Sequence, residues 1–222
     1  MRARFVPLLL GLLLLGGCGE ERGGQGTAQL WVTRDCGTHV VLEKTVPAGL
    51  TLVQALDRVA DVKTSYGGRF VQAIDGVEGS LGQQRDWFWF VNGIEGDRSA
   101  AEYRLRPGDV GWWDYRSWAR RMSQPVVVGA FPEPFVHGYG GKVRPAVVDG
   151  SGPAARALAR LVHGRVGRAA DGANVIEIVP GAAVFHGVRR TDGSVRFVVA
   201  ARDAARLAAD PKLARFRFEG LP

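Results

Sequence analysis

Residues 86–118 read DWFWFVNGIEGDRSAAEYRLRPGDVGWWDYRSW and contain five of the six tryptophans of the chain. In the first part, large rings follow one another along Trp87–Val91, and the run ends at Asn92-Gly93, a dipeptide that favours a tight turn. In the second part, Pro107-Gly108 occupies the central positions of a type II turn. The apolar run Val110–Tyr115 follows it. The stretch therefore predicts two strands of one sheet, each bounded by a turn.

The residues around this stretch predict the other elements of the same sheet. Strands are predicted over the segments Ala28–Arg34, His39–Thr45, Phe70–Ile74 and Tyr103–Leu105. Thr51 has Gln54 three residues later, which is the spacing of a capping box, and an apolar stripe continues over 52–59. Two strands, one helix and then further strands predict a β-grasp-like domain over residues 29–118.

Residues 119–222 predict a second region of strands and helices. Its predicted strands are Pro125–Phe131, Asn174–Val179, Ala183–Arg189, Ser194–Ala200 and Phe216–Phe218. Helices are predicted from Ser151 to about His163, with a proline in the first turn, and over Ala204–Ala209. The chain is therefore assigned to the α+β class, with a β-grasp-like domain followed by a small α+β sandwich.

Basic and acidic residues are divided unevenly along the chain. Residues 19–118 carry 11 Lys/Arg and 14 Asp/Glu, whereas residues 119–222 carry 16 and 8, a difference of +8. The aromatic stretch thus lies in the acidic half, which is the wrong half for a surface that stacks bases. This asymmetry indicates two domains, 29–118 and a basic 119–222, and argues against a nucleic-acid partner.

The N-terminus has the pattern of a secretory signal. Arginines precede the apolar run Val6–Leu15, which is shorter than the roughly 20 residues that span a bilayer. Leu15–Cys18 resembles a bacterial lipobox, which implies cleavage after residue 17 and acylation of Cys18. We therefore predict a signal peptide at 1–17, a lipidated cysteine with a flexible tether at 18–28, and an extracytoplasmic protein anchored to the cell membrane. The alternative is an ordinary signal peptide that contains a cysteine.

Side chains with chemical reactivity are scattered singly. The four histidines form no Cys/His cluster with metal-ligand spacing, and no nucleophile elbow or phosphate loop occurs. With Cys18 lipidated, Cys36 has no intrachain partner. We interpret it as a buried or half-buried structural cysteine, with a reactive thiol as the alternative. His137 is interpreted as a loop residue, with a cobalt ligand or a base as the alternative. We predict no catalytic residue, no metal site, no required cofactor and no enzyme activity.

The order of motifs between residues 29 and 118 resembles the C-terminal domain of transcobalamin and its bacterial relatives. The motifs are VPAGLTLVQALD at 46–57, IDGVEG at 74–79, WFWFVNG at 87–93, RPGD at 106–109 and WWDY at 112–115. In that family the domain closes over one side of cobalamin, while a helical barrel covers the other side. This chain has no room for the barrel and adds a basic region that the family pattern does not explain.

The resemblance implies a protein that binds a small ligand, cobalamin or a related compound, for a membrane uptake system. Rings on an outward face of the sheet would stack on the ligand, because not every indole can be buried with its N–H satisfied. The candidate binding residues are Trp87, Trp89, Asn92, Trp112, Trp113, Tyr115 and Trp118. The alternatives are a non-catalytic module that docks on a transporter or cell-wall component, and a surface protein that binds glycans. A core made of all these rings is a further alternative.

Overall fold

The computed structural model describes residues 26–169 and 171–222, which form an α+β fold with three sheets. The predicted signal peptide at 1–17, Cys18 and the first part of the tether lie outside the described residues. Within them, no helix has both the length and the apolar character needed to cross a membrane.

The residues up to 117 contain eight strands and one helix. They are β1 (Thr27–Arg34), β2 (His39–Pro47), α1 (Leu52–Asp57), β3 (Val62–Ser65), β4 (Phe70–Ile74), β5 (Val77–Glu78), β6 (Arg85–Val91), β7 (Ile94–Glu95) and β8 (Val110–Ser117). Five of them form a mixed sheet in the order β2-β1-β8-β6-β7, and β3-β4-β5 form a small second sheet. The central neighbours β1 and β8 are parallel, whereas β6 is antiparallel to both β7 and β8.

The capping box predicted at Thr51 is confirmed and begins α1. The Thr51 hydroxyl accepts from the Gln54 backbone N–H at 3.2 Å, and the Gln54 side-chain oxygen accepts from the Thr51 N–H at 2.9 Å. The buried residues Leu52, Ala55 and Leu56 then face the mixed sheet and share its hydrophobic cluster.

The register of β6 and β8 decides which rings share a face. Trp89 lies opposite Trp113 and Trp87 opposite Tyr115, and this face packs in one hydrophobic cluster with α1. Phe90 lies opposite Trp112 on the other face, within a separate cluster. The predicted alternation of rings along both strands is therefore confirmed.

The remaining residues form another five-stranded sheet with two helices. Its elements are β9 (Ala146–Asp149), α2 (Gly152–Leu161), β10 (Arg165–Val166), β11 (Asn174–Val179), β12 (His186–Arg189), β13 (Val195–Ala200), α3 (Ala201–Ala209) and a 3-10 turn at Pro211–Ala214. The order is β10-β9-β11-β13-β12, and only β12 pairs in the antiparallel sense. Side chains of α2 and α3 pack with Val148, Ile176 and Val199 in one core.

Three predicted strands are not strands, and the reason is visible in each case. Tyr103–Leu105 pairs with the residues at the start of α1, around Thr51. This pairing stops because the chain becomes helical at Leu52. Pro125–Phe131 forms turns after one bridge from Val126 to Ile94. Phe216–Phe218 follows the 3-10 turn as an irregular segment. The apolar residues within Pro125–Phe131 are buried by packing rather than by sheet pairing. Phe216 and Phe218 are half-buried on either side of the exposed Arg217.

The second region also differs from the predicted sandwich. Its sheet is mostly parallel. The strand β9 was not predicted, and it lies between β10 and β11. Ser151 precedes α2 but makes no capping hydrogen bond through its side chain. The continuous apolar run Ala146–Val148, buried throughout, is typical of a parallel strand covered on both faces.

Candidate functional site

A pocket opens beside the edge of β6 in the part of the sheet formed by the aromatic stretch. Since β7 pairs only with Phe90 and Val91, the preceding residues Trp87–Trp89 lie at the sheet edge. The pocket has a volume of about 420 Å³. We call it the aromatic pocket, and it is lined by Arg69, Phe70, Val71, Trp87, Phe88, Trp89, Glu95, Gly96, Arg98, Ser99, Ala100, Trp113, Met122 and Ser123.

Its walls are mainly flat rings held in place by the core. Trp87 is buried, and its indole N–H donates to the Val77 carbonyl at 2.8 Å. Trp89 is half-buried and packs edge-on against Tyr103, with 5.8 Å between the ring centroids. Gly96 lies against the face of the same indole, since a Cβ at that position would come within 2.1 Å of the ring. These contacts fix the Trp89 ring before any ligand arrives.

Charges at the rim are already paired with one another. Arg69 forms an ion pair with Glu102, and Arg98 forms one with Asp97. The Glu95 carboxylate accepts from Arg116 at 3.3 Å and from the Gln124 backbone at 3.0 Å. Since each rim charge near the rings has a partner of opposite sign or a hydrogen bond, the pocket suits a neutral, flat group better than a free ion.

One buried donor in the lining lacks an acceptor. The Trp113 side chain is 2% exposed, and its indole N–H has no hydrogen-bond partner among the described residues. A buried N–H without an acceptor costs about 1–3 kcal/mol. The groups that could satisfy such a donor are carbonyl, amide or hydroxyl oxygens.

Only three of the seven candidate binding residues line this pocket: Trp87, Trp89 and Trp113. Tyr115 is buried behind them, 5.2 Å from Trp87, and its hydroxyl donates to the Glu78 carbonyl at 3.0 Å. Trp118 is half-buried just after β8, where its backbone N–H donates to Gln84 at 2.8 Å. Neither residue is in the lining.

Asn92 is buried and has a structural position instead of an outward one. Its backbone has a φ of 53° at the turn after β6. Its side-chain amide donates to Asp109 and to the Gly138 carbonyl, both at 2.7 Å, and its oxygen accepts from Val110 at 2.8 Å. The hydrogen bonds of its side chain thus join the β6–β7 turn to the start of β8 and to the loop that contains Gly138.

The opposite face of the sheet, where Trp112 lies, is covered by the C-terminal end of the chain. Trp112 is fully buried and lies 5.5 Å from Phe218 and 6.5 Å from Phe216. A Cβ at Gly37 would come within 1.6 Å of the Phe216 carbonyl oxygen, so the β1–β2 turn needs glycine there. The expectation of an outward aromatic platform is therefore corrected: one face packs on α1, and residues from the end of the chain cover the other.

Asp114, on the same covered face, is a carboxylate buried in the sheet. It accepts hydrogen bonds from the Thr33 hydroxyl at 2.5 Å and from the Cys36 and Gly37 N–H groups at 3.0 and 2.9 Å. Burial raises its pKa above the ordinary range, although these hydrogen bonds oppose the shift. Cys36 itself is exposed in the turn, which corrects its interpretation as a buried or half-buried residue.

This shift gives a pH dependence with a defined sign. Because the pKa of Asp114 is raised in the folded state, its contribution to stability is fully present below the unfolded value of about 3.9 and is lost as pH rises through the folded value. The free energy of unfolding of the native chain, minus that of Asp114→Asn, should fall as pH rises above about 4. Urea denaturation at several pH values measures it, with exposed Asp57→Asn as the control. A difference that rises with pH would contradict the assignment.

A second polar cluster surrounds Glu133 and His137. Glu133 is buried, and its carboxylate contacts His137 Nδ1 at 2.5 Å and accepts from the His137 backbone at 2.9 Å. Burial raises the pKa of Glu133. His137 also packs on Gly108, where a Cβ would come within 2.3 Å of the ring. His137 is thus anchored rather than free in its loop. No group of three metal-ligating side chains occurs in the described residues.

Comparisons with known proteins cover less than half of the chain. Residues 49–117 match the family model described as "Domain of unknown function (DUF4430)". This range includes α1, the aromatic pocket's tryptophans and all of β8. A search of curated proteins gave no match.

Two solved structures show a distant likeness. One is a "putative metal binding protein" of Ruminococcus gnavus ATCC 29149, with a TM-score of 0.33, 16% identity, and coverage of 42% of this chain and 98% of that chain. The other is haptocorrin in complex with Cbi, with a TM-score of 0.34, 14% identity, and coverage of 40% and 24% respectively. The chain therefore spans about a quarter of the haptocorrin chain.

The structure adds pocket residues that the sequence reading did not select. Phe70 comes from β4, and Phe88 lies on the other face of β6, so that the pocket extends around the strand edge. Gly96 and Met122 come from loops before and after β8. Strand alternation finds residues on one face, but an edge pocket collects residues from both faces and from loops, for which the sequence carries no spacing signal.

Proposed function

We propose that the chain is a binding protein that takes a small, flat and largely neutral ligand into the aromatic pocket. The observation that carries the proposal is the set of fixed rings that line the pocket. One of these rings, Trp113, has a buried indole N–H without an acceptor among the described residues. An acceptor oxygen on the ligand would remove the cost of that donor, and the rings of Trp87 and Trp89 would add stacking.

The pocket volume limits the ligand. About 420 Å³ lies near the lower end of the 300–1,000 Å³ range of small-molecule sites. The motifs that resemble the transcobalamin domain make cobalamin or a related compound the first ligand to test, and a corrin would insert only an edge, such as an amide side chain. Such an amide would offer the acceptor that Trp113 lacks. The β2-β1-β8-β6-β7 order with α1 supports a β-grasp-like domain for this site.

We further propose that acylated Cys18 holds the protein on the outer face of the cell membrane, where it passes its ligand to an uptake system. A cysteine anchor with two acyl chains holds a protein stably at a bilayer. The native chain and the Cys18→Ser variant are expressed in a bacterium, and the cells are fractionated. The native chain should be found with the membranes, and the variant should be found in the soluble extract. If both remain with membranes, the anchor is not at Cys18.

The binding proposal is tested on the mature chain carrying Cys18→Ser, with cobalamin as the probe in equilibrium dialysis. Trp89→Ala should weaken binding by about tenfold or more, because one stacking ring and its fixed contacts are lost. Trp118→Ala is the matched control, since it removes the same side chain outside the pocket, and its affinity should stay within about twofold. Equal weakening by both variants would place the ligand elsewhere.

A second function, docking on a partner protein, is favoured by one observation. Tyr66 and Phe70 are exposed at the β3–β4 hairpin and pack edge-on at 6.4 Å, and Met122 is exposed at the other side of the pocket. Apolar side chains gathered around a pocket are typical of contact surfaces. Under this alternative Tyr66→Ala would weaken capture of a transporter component while cobalamin would not bind to the chain.

A further inference from the structure

A second depression, separate from the aromatic pocket, is rich in arginine. It lies between the β1–β2 turn, the chain after β8 and the C-terminal segment, and its volume is about 1040 Å³. We call it the arginine groove. Five arginines line it, Arg116, Arg120, Arg121, Arg215 and Arg217, against one acid, Glu219. It shares no lining residue with the aromatic pocket.

Two of these arginines have partners that fix their guanidinium groups. Arg116 is 3% exposed, donates to the Arg121 and Met122 carbonyls at 2.9 Å, and stands 3.7 Å above the Phe88 ring. Arg215 pairs with Glu43 and lies 5.0 Å from both the Trp31 and Phe216 rings. Fixed guanidinium groups lose little freedom when they bind a planar or tetrahedral anion.

The other three provide the uncompensated charge. Among the described residues, the Arg121 side chain donates only to the neutral Gln124 side chain, at 2.6 Å. Arg120 and Arg217 are exposed and have no side-chain hydrogen bond or ion pair among the described residues. The groove therefore carries an excess of positive charge that the protein itself does not neutralise.

Two arginines of the groove lining each have a buried donor without an acceptor. The Nε atoms of Arg116 and Arg215 are buried and have no acceptor within the described part of the chain. Because a buried N–H of a charged group is costly to leave unpaired, an anionic acceptor in the groove would relieve it. The rings of Phe216 and Phe218 in the same lining would contact an apolar part of the ligand.

From these contacts we propose that the arginine groove binds a phosphate-bearing ligand. Arginine recognises phosphate through paired N–H donors, and the tetrahedral anion matches a groove with donors on several sides. The phosphate belongs either to a free molecule or to the headgroup of a lipid at the membrane surface, and the two sources share the same recognition chemistry.

The experiment uses the mature chain with Cys18→Ser and two probes: sodium pyrophosphate in titration calorimetry, and vesicles with equal parts of phosphatidylcholine and phosphatidylglycerol in a flotation assay. The test variant is Arg120→Gln/Arg217→Gln, in which both side chains are exposed. The control is Arg165→Gln/Arg168→Gln, which removes the same charge outside the groove. We expect the test variant to weaken binding by about tenfold or more and the control by less than about twofold.

The two probes separate the sources of the phosphate. If the chain binds pyrophosphate but not the vesicles, the ligand is a free phosphate compound. If it binds the vesicles but not pyrophosphate, the ligand is a lipid headgroup. Either result supports binding in the arginine groove, provided that the test variant loses the binding and the control variant keeps it. Equal loss in the control shows attraction by net charge alone and overturns the proposal. Absence of binding to both probes at millimolar concentration and low salt overturns it as well.

Discussion

Asn92→Ala should lower the free energy of unfolding by about 3–5 kcal/mol. The change removes three buried hydrogen bonds, and it leaves the Asp109 carboxylate, the Gly138 carbonyl and the Val110 N–H without their partner. It also places alanine at a φ of 53°, a conformation that asparagine tolerates better. Urea denaturation followed by tryptophan fluorescence measures the loss.

Asn174 provides a matched control in the second sheet. It is buried like Asn92, but its side-chain oxygen accepts one hydrogen bond, from Val195 at 3.0 Å. Asn174→Ala should therefore cost only about 1–2 kcal/mol. If the two alanine variants lose the same stability, the three bonds of Asn92 do not have the structural importance assigned to them.

Trp112→Ala should cost about 3–5 kcal/mol and release the C-terminal segment. Trp112 is fully buried, and its indole N–H donates to the Thr33 hydroxyl at 2.7 Å. The cavity left by a tryptophan removes the packing surface for Phe216 and Phe218, which hold residues 215–218 on the sheet. Limited trypsin digestion should then cleave after Arg215 or Arg217 faster than in the native chain.

A milder variant separates release of the segment from global unfolding. Phe218→Ala removes one ring, with its contacts to Phe90 and Trp112, from the same cluster. We therefore expect faster cleavage at Arg215 and Arg217 with a smaller loss of stability. Phe185→Ala is the control, because it removes a buried ring from the core of the second sheet. If Phe218→Ala and Phe185→Ala accelerate cleavage at the two arginines equally, the C-terminal segment is not held in place by its packing on Trp112.

Local signals in the sequence predicted much of the first sheet. The rings of β6 and β8, the turn at Asn92-Gly93 and the capping box at Thr51 are all decided by neighbours a few residues apart, and each is confirmed. The strand Phe70–Ile74 was predicted with its observed bounds for the same reason. Periodicity works where a strand has one buried face and turns at its ends.

Contacts between distant residues could not be predicted in this way. Nothing near Trp112 indicates that Phe216 and Phe218, about a hundred residues later, cover its face. The aromatic pocket likewise combines β4, β6 and loops around β8. For this reason four of the seven candidate binding residues were predicted to lie on a binding surface but lie outside the pocket. In the structure they belong to the core, to a turn or to the end of a strand.

The measurement that most directly tests the proposed function follows the indole N–H of Trp113 by ¹⁵N NMR in the mature chain carrying Cys18→Ser. Its resonance is assigned with Trp113→Phe, and that of Trp118 with Trp118→Phe. At saturating cobalamin the Trp113 signal should move downfield, as its orphan donor gains an acceptor, while the Trp118 signal stays in place. Cobalamin that binds and leaves the Trp113 signal unchanged, or that does not bind at all, would contradict a ligand in the aromatic pocket.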